Sequence, residues 1–274
     1  MEQQQILGYV LASLIGISLG LIGGGGSILT VPVLVYVMGV NATLATAYSL
    51  FIVGITALVG SLTYFQKKLV SIKTAIVFSI PAFTSVYLVR RFVIPAIPKE
   101  IFSLYGFTLT RDILLMLVFA GLMIFASVSM IRDEKGKGPE VTEEEHEPEF
   151  NLPLIFGEGV VVGGLTGFVG AGGGFMIIPA LVLFARLPMK MAVGTSLLII
   201  AAKSLIGFIG DVTNPELTID WELLISFSFI ACVGIFIGSY LSTFIPGAKL
   251  KQAFGWFVAV MGVYIIAKET LLGK

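Results

Sequence analysis

Apolar residues fill this chain in long blocks, at 6–38, 43–65, 74–97, 112–131, 153–185, 191–210, 222–245 and 252–267, with short polar stretches between them. Most blocks come near the ~20 residues that an α-helix needs to cross a bilayer. The pattern predicts an all-α polytopic membrane protein. Block 6–38 is too long for one straight span: it would reach ~50 Å, against a hydrocarbon core of ~30 Å. It is broken by "GLIGGGGSILTVP" at 20–32, and the later block 153–185 is broken by "GFVGAGGGFMIIP" at 167–179. Each glycine is about 1 kcal/mol worse than alanine in a helix interior.

The two breaks belong to a duplication. At an offset of 147 residues the halves align without a gap, placing Gly20, Gly23, Gly25, Gly26 and Pro32 on Gly167, Gly170, Gly172, Gly173 and Pro179. The register continues through Ala45, Ser49, Leu50, Leu58 and Gly60 against Ala192, Ser196, Leu197, Leu205 and Gly207. Internal duplication is common in secondary transporters. Between the halves, "RDEKGKGPEVTEEEHEPEFN" (132–151) reads as a solvated linker. The expected units are a first transmembrane repeat at 1–131, a charged cytoplasmic linker at 132–151 and a second repeat at 152–274.

Loop charges give the relative orientation. "MGVNAT" (38–43) has no basic residue, whereas its counterpart "ARLPMK" (185–190) has Arg186 and Lys190. The next loops reverse that bias: "QKKLVSIK" (66–73) carries three lysines and "DVTNPELTID" (211–220) none. Basic residues concentrate in cytoplasmic loops, so the halves are expected to be inverted. An inverted half crosses the membrane an odd number of times. Three spans follow each glycine segment, so that segment must leave and return to one side as a pair of half-helices. Both termini are then outside, with loops 66–73, 132–152, 186–190 and 246–251 in the cytoplasm.

Composition agrees with this class. The chain of 274 residues is 57% hydrophobic and 12% charged, with mean hydropathy +1.00, against about 45–50% and about 25% for soluble domains. Zero net charge gives no electrostatic footprint for nucleic acid. "MEQQQ" lacks a basic region and a cleavage site, so residues 6–22 read as a retained span. The single cysteine, Cys232, cannot form an intrachain disulfide or a cysteine-rich metal site, and reads as a packing residue. His146, alone among glutamates in the linker, is assigned no function.

Irregular backbone at membrane depth is tolerated only where protein or a water-filled cavity covers it. The glycine breaks admit two readings. One is close helix packing through small residues. The other is an anion site of free backbone N–H groups at helix ends, near the midplane. Two breaks in matched register favour the second. Lys203, deep within "SLLIIAAKSLIGFIG", adds a cation that either snorkels to an interface or faces a site. The candidate binding residues are Gly23, Gly24, Gly25, Gly26 and Ser27 at the first break. Gly170, Ala171, Gly172, Gly173 and Gly174 are their counterparts at the second, with Tyr48, Ser49, Thr195, Ser196 and Lys203 on the helices that follow. Arg90 and Arg91, near the end of their span, are expected to snorkel to the outer surface.

The whole chain outside the linker resembles the TauE/SafE family of membrane transporters. The resemblance is carried by "GLIGGGGSILTVPVLV", its echo "GFVGAGGGFMIIPALV", "AVGTSLLII" (192–200), "LTIDW" (217–221) and "VYLVRRFVIPAIP" (86–98). It implies export of small sulfur-containing anions, such as sulfite, sulfoacetate or other organosulfonates, by a proton- or gradient-coupled secondary mechanism in the bacterial inner membrane. The expected partners are that anion, the lipid bilayer and a second copy of the chain, with no nucleic acid. The alternatives are a passive anion channel or a carrier of another small organic anion. The spans hold none of the paired groups that membrane hydrolases use, so no enzyme, cofactor or metal is expected.

Overall fold

A computed structural model describes residues 2–104, 107–132, 152–169, 177, 178, 181, 187–214, 217–241, 244 and 247–271. Helices dominate: α1 (Glu2–Ile22), α2 (Ala42–Gln66), α3 (Ile72–Leu88), α4 (Arg111–Arg132), α5 (Leu152–Val169), α6 (Met189–Val212), α7 (Trp221–Leu241) and α8 (Gly247–Leu271). Among the described residues, four helical stretches are long and apolar enough to cross a membrane: Ala42–Gln66, Ile72–Ala96, Met191–Val212 and Trp221–Leu241. Phe229 and Phe125 stand 70% and 68% exposed. Aromatic rings so placed on apolar helices suit contact with lipid tails.

The glycines after α1 reverse the chain. Gly23 adopts φ +71°, a left-handed conformation open to glycine and strained for branched side chains. A 3-10 helix follows over Gly23–Leu29, then a turn of α-helix at Thr30–Pro32 and a π-helix at Val33–Val37. This return arm lies back along α1. A methyl at Gly26 would fall 2.6 Å from the Ser18 carbonyl carbon, and the Met38 side chain fills the space beside Gly8. Leaving and returning to one side is thus built into the first half. The expected pair of half-helices is corrected in one respect. α1 has 21 residues, about 31 Å, and is a full-length arm beside a shorter irregular one.

The sequence supplies the ends of the spans. Asn41 caps α2 by accepting from Leu44 N at 2.8 Å, and Asp220 caps α7 by accepting from Leu223 N at 3.1 Å. Ser71 is the corresponding residue of α3. Between α3 and α4 the chain departs from an all-α fold. β1 (Glu100–Leu104) pairs antiparallel with β2 (Phe107–Thr110), Leu104 opposite Phe107 and Ser103 opposite Thr108. Arg111 N closes the base of this hairpin on Lys99 O at 3.0 Å. The segment is too short for a span and lies beyond the apolar block, so the 20-residue periodicity passes over it.

Helix pairing follows a simple rule. α1 packs on α7 and α5 on α3, α2 on α6, α4 on α8, α2 on α7 and α6 on α3. Moving every label by four returns the same set of pairs. Small residues fix the directions. A methyl at Gly54 would sit 2.9 Å from Leu205 Cδ2, one at Gly60 3.5 Å from Leu197 Cδ1, and one at Gly207 3.2 Å from Leu50 Cδ1. Numbers fall along α6 as they rise along α2, so these helices are antiparallel. Gly16 faces Ala231 and Gly20 faces Gly238, so α1 and α7 run parallel; Gly159 faces Pro81 and Gly167 faces Val86, so α5 and α3 do too.

Candidate functional site

The first glycine break is only partly available to a ligand. Gly26 is pressed against the α1 backbone, and Ser27, fully buried, donates from Oγ to Gly24 O at 2.7 Å. The 3-10 helix continues directly from the last residue of α1, so the first-turn amides of Gly23, Gly24 and Gly25 face the terminal carbonyls of α1. Packing against Val193 and Ile178 sets Gly23 beside the first turns of α6. Gly20 reaches the Ile235–Ser239 backbone near the end of α7. The break therefore sits toward one end of α6 and α7, where full-length α1 carries it, and not halfway along them. Gly170, Ala171, Gly172, Gly173 and Gly174, the whole second break, lie outside the described residues.

Tyr48 and Thr195, equivalent in the repeat, both reach into the opposite half. Tyr48 is 1% exposed, and its hydroxyl accepts from Asp220 N, at the start of α7, at 2.5 Å. Thr195 Oγ1 accepts from Ser71 N, at the start of α3, at 2.9 Å. Each residue fixes the start of a helix far from it along the chain, 172 positions away for Tyr48 and 124 for Thr195. Because α2 and α6 are antiparallel, the two lie at opposite ends of that pair and do not meet. Ser49 and Ser196 are fully buried. Ser196 donates to Val193 O at 2.8 Å, while Ser49 Oγ has no partner among the described residues. The return arm carries the chain back along α1 before α2 begins, so Tyr48 and Ser49 come from the first turns of the helix that starts at the far end of that arm.

Lys203 stands midway along α6 and is 1% exposed. Snorkelling is excluded by that burial. Nζ donates to Thr166 Oγ1 of α5 at 3.2 Å, and Thr166 in turn donates to Val162 O at 2.7 Å. No acidic side chain pairs with Lys203 among the described residues. Among the described residues, the side chain that Lys203 Nζ meets is thus a neutral hydroxyl and not a carboxylate.

Arg90 corrects a second expectation. It does not snorkel: it is 1% exposed, on the π-helix Val89–Val93 that prolongs α3. Nη1 lies 3.3 Å from Asp211 Oδ2 of α6 and donates to Thr46 Oγ1 of α2 at 2.9 Å. Arg91, beside it, donates to Thr213 O at 3.2 Å. Asp211 is itself 2% exposed. Sequence reasoning used this residue only to mark the end of a span. The available signal was an arginine and an aspartate, each inside an apolar helix and in opposite halves.

Comparisons with known proteins place the chain among membrane transporters. A family model described as "Sulfite exporter TauE/SafE" matches residues 9–265. A protein of Xylella fastidiosa strain 9a5c, named "Probable membrane transporter protein", is 30% identical over 257 residues, 92% of this chain and 91% of its own. The probable membrane transporter protein YunE of Bacillus subtilis is 28% identical over 230 residues, 78% of this chain and 81% of its own. No solved structure matches. With a family match across nearly its whole length, several apolar helices and relatives named as transporters, the chain belongs to the TauE/SafE sulfite exporter family and is a multi-pass membrane protein of transport.

Proposed function

We propose that the protein exports small sulfur-containing anions, such as sulfite, sulfoacetate or other organosulfonates, by alternating access between two inverted halves. The membrane would be the inner membrane of a bacterium. Residues 1–131 and 152–274 form the halves, with 132–151 as a cytoplasmic linker. Two observations support the inversion. Helix pairing is unchanged when the halves are exchanged, and the equivalent helices α2 and α6 run antiparallel. An axis along the membrane normal would leave equivalent helices parallel.

The observation that carries the substrate class is Lys203. A lysine buried in mid-helix without an acidic partner suits an anion that arrives and leaves. Thr166 Oγ1 holds Nζ in place through their hydrogen bond. Sulfite and sulfonates are compact, with charge spread over several oxygens, and accept several short donors at once.

Lys203→Met tests the reading, because it keeps a long apolar stem and removes the charge. Losing one buried, hydrogen-bonded charge partner costs about 2–5 kcal/mol. Sulfite or methanesulfonate affinity of the purified protein is therefore expected to fall by roughly 30-fold or more. Lys203→Arg, with the charge kept and the donors rearranged, is expected between the two. Wild-type affinity in folded Lys203→Met would assign the lysine to structure alone.

A further inference from the structure

We infer that Arg90 forms a second oxyanion site, distinct from Lys203, at the end of the bundle where α2 begins. The guanidinium has two working edges. Nη1 is spent on Asp211 and Thr46. Nε and Nη2, buried and without a partner among the described residues, form the other edge. Their N–H bonds point the same way and match two oxygens of one sulfonate, sulfite or carboxylate group. Leaving two such donors dry and unpaired is costly, since a buried unsatisfied donor loses its water and gains nothing. The π-helix that holds Arg90 is a rare geometry, frequent at functional sites.

A polar cavity of about 390 Å³ opens at the same end, lined among others by Thr43, Lys99, Glu100, Arg111, Asp112 and Leu217. Thr43 donates from both its amide and its hydroxyl to Asp112 Oδ1. One turn deeper, Thr46 Oγ1 donates to Thr43 O at 2.8 Å and accepts from Arg90. A line of polar contacts thus runs from the cavity wall to Nη1, the committed edge of the guanidinium. Lys99 and Arg111 line the mouth and Glu100 and Asp112 balance them, so the cavity itself is not a strong anion trap. The uncommitted donors are Nε and Nη2 of Arg90, which does not itself line the cavity.

Arg90 opposes Asp211, which is eight residues along α6 from Lys203, about 12 Å at 1.5 Å per residue. Two anions therefore fit at once. The inference rests on the preceding reading only for the choice of ligand; the site itself follows from the free edge of Arg90. Asp211 competes with the anion for the same cation, so it holds Arg90 in place without it and weakens binding when it arrives.

Titration calorimetry of the purified full chain with sodium methanesulfonate distinguishes the two sites. Wild type is expected to bind two anions per chain. Arg90→Lys keeps the charge, removes the fork and is expected to weaken one site by at least about tenfold, leaving the site lost in Lys203→Met. Asp211→Asn removes the competitor and is expected to tighten the Arg90 site. The double variant Arg90→Gln/Asp211→Asn strands no buried charge, so it keeps its fold while losing the same site. One anion per wild-type chain, or two undiminished sites in both Arg90 variants, overturns the inference. In either case a loss confined to Lys203→Met leaves the function proposed above standing, and no binding at all by wild type removes both.

Discussion

Arg90 and Lys203 show how far a single charged residue can be read without coordinates. Lys203 was legible, because eight residues separate it from the next charge in one direction and thirteen in the other. Its partner was not, since Thr166 is an ordinary hydroxyl on a helix 37 positions earlier. Arg90 stands six residues from the end of its span, where snorkelling is the usual outcome. Only the packing of α3 and its π-helical extension against α6, with the reach of Nη1 to α2, places Asp211 and Thr46 beside it. A consequence for stability follows. Breaking a buried ion pair from one side leaves a bare charge and costs about 3–5 kcal/mol, whereas removing both charges costs far less. Asp211→Ala is expected to lower the thermal unfolding temperature strongly, and Arg90→Gln/Asp211→Asn only slightly. Equal losses in the two would mean that the pair acts through its packing and not its charge.

Glycine acts at the scale of helices in two separate ways. At Gly23 it permits the left-handed turn, and the sequence announced a break there without locating it. The location depends on α1, whose 21 residues carry the turn to the last turns of α7. At Gly16, Gly20, Gly234 and Gly238 it permits contact of α1 and α7 backbones, the packing role first weighed for the breaks themselves. A side chain at Gly16 would collide with the Ala231 carbonyl oxygen, whereas Gly121 has open space around it. Gly16→Val is therefore expected to cost more than the about 1–3 kcal/mol of ordinary overpacking, since backbone cannot move aside as a side chain does. Gly121→Ala is expected to be neutral or stabilising by up to about 1 kcal/mol through helix propensity. Thermal unfolding of the two purified variants checks the contrast, and equal stability would show that α1 and α7 are not held at this distance. The β1–β2 hairpin went unseen because a search for 20-residue apolar blocks has no term for two strands of five and four residues.

At the scale of the molecule, the duplication was the most legible feature, since one offset aligns glycine, proline and serine together. The packing adds what an alignment lacks: which helices touch, and in which direction they run. Antiparallel α2 and α6 place loop 66–73 and loop 211–220 at opposite ends of the bundle, because the first follows the C-terminus of α2 and the second begins at the C-terminus of α6. Single cysteines introduced at Lys68 and Thr218 in a Cys232→Ala background are expected to react with impermeant thiol reagents from opposite faces of intact cells. Labelling of both from one face would end the inverted arrangement. The central claim, that this architecture works as a carrier of small sulfur oxyanions, is tested most directly by counterflow. Protein reconstituted in liposomes loaded with unlabelled sulfite is expected to take up labelled sulfite faster than in empty liposomes, because a loaded carrier reorients in exchange. Uptake that is equal with and without internal sulfite would contradict alternating access and leave a passive pore.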